Sequence, residues 1–322
     1  MKRSGTGTGL VIAVVAAATF GSSGSLVKPM LDAGWTPAAA VTARALVGGV
    51  LLLPVALVQL RGRYGVLLAN WRRILVMALI GVAGCQLAYF AAIERLPVGT
   101  AILLEYMAPL LLVGVAWARS RRVPQTVVLV GSGVALVGLV LVVAPSAGSA
   151  GLDGLGLVFG VLAMIGCAIY YVVAAAPSGD LPPVALAAAG LVIGGVVLGI
   201  AGVARILPFA MSVHDVAMFG GERPWWLPVL LVGVVSTAIA YTANITASEL
   251  LGSRLASFAG LLEVVAATLY AWILLGQDLT WVKLAGGVLI LAGIAFVRSE
   301  RPGRSAPTAE PVVTGPIDLV RT

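Results

Sequence analysis

Residues 247–297, ASELLGSRLASFAGLLEVVAATLYAWILLGQDLTWVKLAGGVLILAGIAFV, align without a gap to residues 92–142, AIERLPVGTAILLEYMAPLLLVGVAWARSRRVPQTVVLVGSGVALVGLVLV, at a shift of 155. The alignment sets Glu249 on Glu94, Leu251 on Leu96, Ala256 on Ala101 and Ala271-Trp272 on Ala116-Trp117. It continues with Leu284 on Leu129, Gly286 on Gly131, Gly293 on Gly138 and Val297 on Val142. Apolar sequence of low complexity yields chance identities, so no single match carries weight. Tryptophan on tryptophan, with spaced glycines in phase, is harder to obtain by chance. A shift of 147 extends the likeness toward the N-terminus, pairing Gly9-Leu10 with Gly156-Leu157, Ala38 with Ala185 and Gly48 with Gly195. The chain reads as two copies of one unit.

What that unit is follows from composition. Of 322 residues, 60% are hydrophobic and 10% are charged. A soluble domain is about half apolar and about a quarter charged, so the suitable solvent for this chain is a bilayer. A hydrocarbon core about 30 Å thick needs roughly 20 apolar helical residues to cross it, because lipid satisfies no backbone hydrogen bond. Ten such runs are present, over 9–28, 37–60, 74–94, 98–118, 125–144, 155–176, 183–204, 226–248, 255–275 and 281–298. Pro37, Pro97, Pro145, Pro182-Pro183 and Pro224 punctuate the boundaries. Met1-Lys2-Arg3 before the apolar run from Leu10 resembles a secretory leader. Apolar and small residues continue through Val27, however, and the segment reads as an uncleaved first helix.

The expected organisation is a cytoplasmic N-terminus (1–8), a five-helix repeat (9–144), a linker (145–154), a second five-helix repeat (155–298) and a disordered cytoplasmic tail (299–322). The fold class is all-α and polytopic. With the N-terminus in the cytoplasm, 14 of the 20 Lys and Arg residues fall inside, five outside and Arg44 within a span. That is the bias the positive-inside rule describes. All seven tryptophans fall near span ends, where an amphipathic ring sits best. Five spans per repeat is an odd number, so the second unit must sit inverted relative to the first. The loop with Arg119, Arg121 and Arg122 is basic, and its counterpart Gly276-Gln277-Asp278 is not, as inversion requires. Inverted repeats are a recurring construction of secondary transporters, with a site shared between two halves that rock.

Several function classes are excluded or disfavoured. The net charge of +7 does not indicate nucleic acid, because the basic residues lie in short loops. Cys85 and Cys167 form no CxxC pattern, and His214 is the only histidine, so neither a metal nor another cofactor is expected and the chain reads as no enzyme. No GxxxxGK[ST] loop is present, so transport energy would come from a gradient. A channel and an intramembrane enzyme are the alternatives. Expected partners are a small-molecule substrate and the bilayer, with a proton as a candidate coupling ion and a homodimer left open.

Ala256-Ser257-Phe258-Ala259-Gly260-Leu261-Leu262-Glu263, Ala271-Trp272-Ile273-Leu274-Leu275-Gly276-Gln277 and Leu284 to Gly293 resemble the EamA family of the drug/metabolite transporter superfamily. The resemblance spans most of 9–298 and implies an exporter-type carrier of amino acids, other metabolites or drugs. It implies a central cavity lined mainly by spans 1, 3, 4, 6, 8 and 9. Where this chain has Glu263-Val264 and Gly276-Gln277, the family often has Glu-Pro and Gly-Glu. The setting implied is a bacterial cytoplasmic membrane with both termini inside.

An ionisable group inside a span is costly and is a functional candidate by default. Arg44, Glu105 and Glu263 are such groups. Arg44 and Glu105 lie at one level, roughly 10 Å below the outer surface at about 1.5 Å per residue. They read either as an ion pair or as joint partners of a zwitterionic substrate. Glu263, near mid-span, suits a cationic group or a carried proton, since an ionised carboxylate away from water is expensive. Gln86, Ser236 and Thr237 fall near the midplane, where carriers tend to hold substrate. Tyr89, Tyr170 and Tyr241 are candidate cavity walls, with an apolar face and a polar tip. Ser22, Ser23, Ser25, Tyr171 and Asn244 carry weaker signals, and small hydroxyls often serve helix contact.

Overall fold

The computed structural model describes residues 2–93, 95, 98–121, 124–143, 153–176, 180–275 and 279–299. Among the described residues the chain crosses ten times. The first crossings are α1 (Lys2–Asp32), α2 (Pro37–Leu60) and α3 (Trp71–Ala92). Next come α4 in two pieces (Val98–Glu105 and Ala108–Ser120) and α5 (Thr126–Val143). The second half holds α6 (Gly154–Ala175), α7 (Pro183–Val203) and α8 (Trp226–Leu251). It ends with α9 in two pieces (Ser253–Gly260 and Leu262–Leu275) and α10 (Trp281–Arg298). Seven of these, α9 with its two pieces taken together among them, are long and apolar enough to cross a membrane. α4 reaches that length only when its two pieces are taken together, while α5 and α10 are short but apolar. The ten-span, all-α membrane reading therefore stands. The expected linker at 145–152, the Gly276–Asp278 turn and the tail beyond Ser299 lie outside the described residues.

Helical irregularities recur in phase with the repeat. α3 widens into a π-helix over Met77–Gly84, and α8 does so over Val234–Ile239. α4 breaks at Tyr106-Met107 and α9 at Leu261, and residue 106 maps onto 261 at the same shift that aligns the sequences. In α4 the cause is local. Pro109 has no N–H to return to the Glu105 carbonyl four residues earlier. In α9 the equivalent position is Val264, whose N–H bonds the Leu261 carbonyl three residues back at 3.1 Å. The break thus persists without proline, held by packing around it.

Glycines set the closest helix approaches. On α5 a Cβ at Gly131 would stand 2.9 Å from the Gly293 carbonyl of α10, and one at Gly138 would stand 2.6 Å from the Gly286 carbonyl. Gly131 and Gly286 are repeat equivalents, as are Gly138 and Gly293. The crossing therefore maps onto itself, and a pseudo-two-fold axis passes through it. Small residues of this kind let backbones touch where apolar burial gives no drive. α2 meets α7 in the same way, with Gly49 against Val192 and Gly195 against Leu46. α1 packs on α8 and α9, and α6 packs on α3 and α4. Each half thus inserts its first helix into the other.

The segment between α7 and α8, read from sequence only as a polar loop, contains a β-hairpin. β1 (Val216–Met218) pairs antiparallel with β2 (Gly221–Arg223). Phe219 and Gly220 turn it with φ of 55° and 75°, the two positive values that suit a tight hairpin. The loop is tied to the α1–α2 turn. Trp35 donates from Nε1 to the Ser212 carbonyl at 2.8 Å, and the Thr36 N–H donates to the Ala210 carbonyl at 3.0 Å. It marks one end of the bundle, opposite the end where α1 begins and α10 finishes.

Gly138→Ala pushes a methyl into the α10 backbone and is expected to destabilise the protein by about 1–3 kcal/mol. Gly133→Ala, which meets open space, is expected to be neutral. Thermal unfolding of the two variants in detergent checks the difference.

Candidate substrate site

Arg44 organises the middle of the bundle. It projects from α2, is 4% exposed, and forms hydrogen bonds to three other helices. Nε donates to Thr237 Oγ1 at 3.1 Å and Nη2 to the Ser236 carbonyl at 2.9 Å, both on α8. Nη1 donates to Ser23 Oγ of α1 at 2.8 Å and to Gln86 Oε1 of α3 at 3.4 Å. The Ser236 carbonyl lies within the π segment of α8, where the widened ladder leaves carbonyls free to accept. Thr237 Oγ1 in turn donates to the Val232 carbonyl at 2.9 Å, and Ser236 Oγ meets Ser22 Oγ at 2.8 Å. Neutral oxygens meet the desolvated guanidinium. Among the described residues the structure makes no direct Arg44–Glu105 ion pair. The Arg44 donors are turned toward α1, α3 and α8 instead.

The two carboxylates sit at the two helix breaks. Glu105 ends the first piece of α4, and Glu263 lies in the first turn of the second piece of α9. Both are partly exposed within the protein. Cys85 Sγ of α3 donates to Glu105 Oε1 at 3.5 Å, and the Tyr106 phenol stands near the Glu263 carboxylate. Glu105, Glu263 and Arg44 are close enough to interact electrostatically. A carboxylate in the first turn of a helix also faces the positive end of its dipole, which is the position of Glu263.

Aromatic rings border this centre. Tyr89 of α3 lies within electrostatic reach of both carboxylates and packs on Phe90 at 5.5 Å. Toward the end that carries the termini, Phe20, Tyr241, Tyr170 and Tyr171 form an edge-to-face chain with ring centres 4.9–5.8 Å apart. Tyr170 donates to Asn244 Oδ1 at 3.1 Å. The Tyr171 hydroxyl fills the space where a Cβ on Gly260 would lie, next to the α9 break. Below that layer Arg73 bridges α3, α6 and α8, donating to the Val173 and Ala174 carbonyls and pairing with Glu249 at 3.5 Å.

The structure thus brings together all nine residues singled out as candidates, on α2, α3, α4, α6, α8 and α9. Ser23 joins Arg44 directly, and Ser22 and Asn244 join its neighbours. Sequence reasoning missed Tyr106 and Cys85 as partners of the carboxylates, and missed the Arg73–Glu249 bridge. Position 106 directly follows Glu105, but nothing local shows that it reaches across to α9. A hollow of about 420 Å³ beneath the β-hairpin, between Ser25, Pro29 and Leu274, lies apart from this centre. Its lining includes Ser25 and Glu222 but none of the residues gathered around Arg44.

The EamA-like transporter family model matches residues 7–144 and again 154–299. The chain belongs to the EamA-like transporter family. Among its relatives is an uncharacterized transporter of Archaeoglobus fulgidus, 28% identical over 213 residues, which is 66% of this chain and 72% of that protein. The uncharacterized inner membrane transporter YicL of Salmonella typhimurium is 24% identical over 312 residues, covering 94% of this chain and 99% of its own. A solved crystal structure superposes with a TM-score of 0.72 at 20% identity, covering 90% of this chain and 96% of the other, a likeness of fold alone. This EamA-like protein is therefore a membrane transporter, built as two inverted repeats.

Arg44→Lys replaces a planar five-donor fork with a three-donor ammonium and leaves at least one of the oxygens of Thr237, Ser236, Ser23 and Gln86 without its bond. Hydrogen bonds to a charged group are worth about 1.5–3 kcal/mol each. Thermal melting of the purified variant is expected to show a loss of at least that size. A variant as stable as the parent would show that Arg44 does not hold the bundle.

Proposed function

We propose that the protein is a secondary carrier that moves small metabolites or drugs outward across a bacterial cytoplasmic membrane by alternating access, with both termini inside. The observation that carries this reading is the paired break of α4 and α9. Each repeat interrupts its fourth helix at the equivalent residue, and each interruption has a carboxylate beside it. Broken helices at mid-membrane free backbone and side-chain polar groups for a solute that both halves can then share. Because the halves are inverted, rocking one against the other exposes that solute to alternate sides.

The termini end is the natural candidate for the closed gate. The Phe20–Tyr241–Tyr170–Tyr171 layer is buried, with each ring no more than 8% exposed. The Arg73–Glu249 bridge locks three helices beneath it. Opening that end requires α6 and α8 to separate from α3. A proton is the proposed coupling ion, carried on Glu263.

Protein reconstituted in liposomes is expected to show saturable flux and counterflow of a solute found by comparing deletion with overexpression in a toxicity screen. Flux that neither saturates nor supports counterflow would point to a channel. Glu263→Gln is expected to keep counterflow at raised solute concentration and to lose accumulation driven by a pH gradient. Retained pH-driven accumulation in that variant removes the proton from the mechanism.

A further inference from the structure

The polar centre contains one cation and two carboxylates, and their hydrogen bonds are unequally met. A guanidinium has five N–H donors. Four of those of Arg44 are bound to Thr237 Oγ1, Ser23 Oγ, Gln86 Oε1 and the Ser236 carbonyl. Recognition of a carboxylate by arginine relies on two parallel N–H groups along one edge of the fork. On Arg44 the Nε–H is bound to Thr237, both Nη1–H groups are bound, and one Nη2–H is bound to a backbone carbonyl. No edge retains a free parallel pair. A carboxylate-bearing solute would have to displace Ser23, Gln86 or α8 itself to be held.

The carboxylates are in the opposite condition. Each has about four lone-pair positions. Among the described residues Glu105 accepts only the weak Cys85 thiol at 3.5 Å, and the Tyr106 phenol is the polar group beside Glu263. Both are partly exposed, one beside each helix break. Tyr89 and Tyr106 lie within electrostatic reach of both, and tyrosine faces attract cations most strongly where water is excluded. Unfilled acceptor capacity and aromatic faces call for a donor-rich positive group.

We infer that the transported solute presents a cationic amine to Glu105 and Glu263 and that Arg44 is a positioning residue, not a clamp for a substrate carboxylate. The inference rests on the carrier reading and narrows it to a substrate class. The Arg44 charge still matters: it sits near enough to limit the site to a net charge of −1 when both carboxylates are ionised. That balance suits a monocation. It disfavours a zwitterion, whose carboxylate would enter an already negative site without an open donor.

The test uses three compounds of one shape that differ in their charges: 2-phenylethylamine, phenylalanine and 3-phenylpropionate. Stabilisation of the purified protein in detergent is measured by thermal shift against concentration of each. The amine is expected to bind about tenfold or more tightly than phenylalanine, with no shift by 3-phenylpropionate. Glu105→Gln and Glu263→Gln, singly, are each expected to weaken the amine by about tenfold, or ~1.4 kcal/mol, while the ligand-free melting temperature stays near the parent's. Phenylalanine or 3-phenylpropionate binding as tightly as the amine, or no shift by the amine, overturns the inference. So does unaltered amine binding in both variants. None of these outcomes touches the carrier reading, which fails separately if no solute shows saturable counterflow.

Discussion

Lipid tails offer no hydrogen bond, so each backbone amide inside a bilayer must find its partner within the protein. That constraint governs where this chain is regular and where it is not. α2, α6 and α7 run unbroken and present apolar side chains outward. α3, α4, α8 and α9 depart from the regular ladder. Each departure is sheltered by neighbours. The π segment of α8 turns its Ser236 carbonyl to the buried Arg44, and the break in α9 is packed by Gly21 of α1 and the Tyr171 hydroxyl. Irregular backbone therefore collects in the middle of the bundle, and the candidate site is made of it.

Arg44 and the carboxylates show how charge is tolerated in that middle. A buried guanidinium without partners would be prohibitive. Here hydroxyls, an amide and a carbonyl from three helices receive it, so α1, α3 and α8 are fastened to α2 by one side chain. The same bonds take Arg44 out of contention as a substrate clamp. Glu105 and Glu263 are left to meet the solute, with the tyrosines shaping what fits beside them. Structural and functional charge are thus divided between the repeats' shared centre and its walls.

Inversion gives the arrangement its motion. The Gly131–Gly293 and Gly138–Gly286 contacts lie on the pseudo-axis and hold α5 to α10 backbone to backbone. α1 and α6 reach across into the opposite half. On the proposed alternating-access reading, α5 and α10 form the seam and the two ends of the bundle are the parts that change between states. Tyr170, Tyr241 and the Arg73–Glu249 bridge stand toward one end, and the loop that carries the β-hairpin, tied by Ala210 and Ser212 to Thr36 and Trp35, marks the other.

The amino-acid sequence alone determined the ten crossings, their inversion and the three intramembrane charges, because each rests on local properties. An apolar run of sufficient length must be a helix in lipid, and an odd count per repeat must invert. The match of Gly131 to Gly286 and of Trp117 to Trp272 needs no coordinates. Only the tertiary structure decided what those charges touch. Arg44 and Glu105 are close enough to interact electrostatically, but Arg44 turns its donors to Thr237 and Ser236 of α8. The break in α9 without a proline at Val264 was hidden for the same reason: it is imposed by packing from other helices, not by any local residue. The hairpin at 216–223 was hidden too, since Phe219-Gly220 is an unusual pair for a turn that needs two positive φ values.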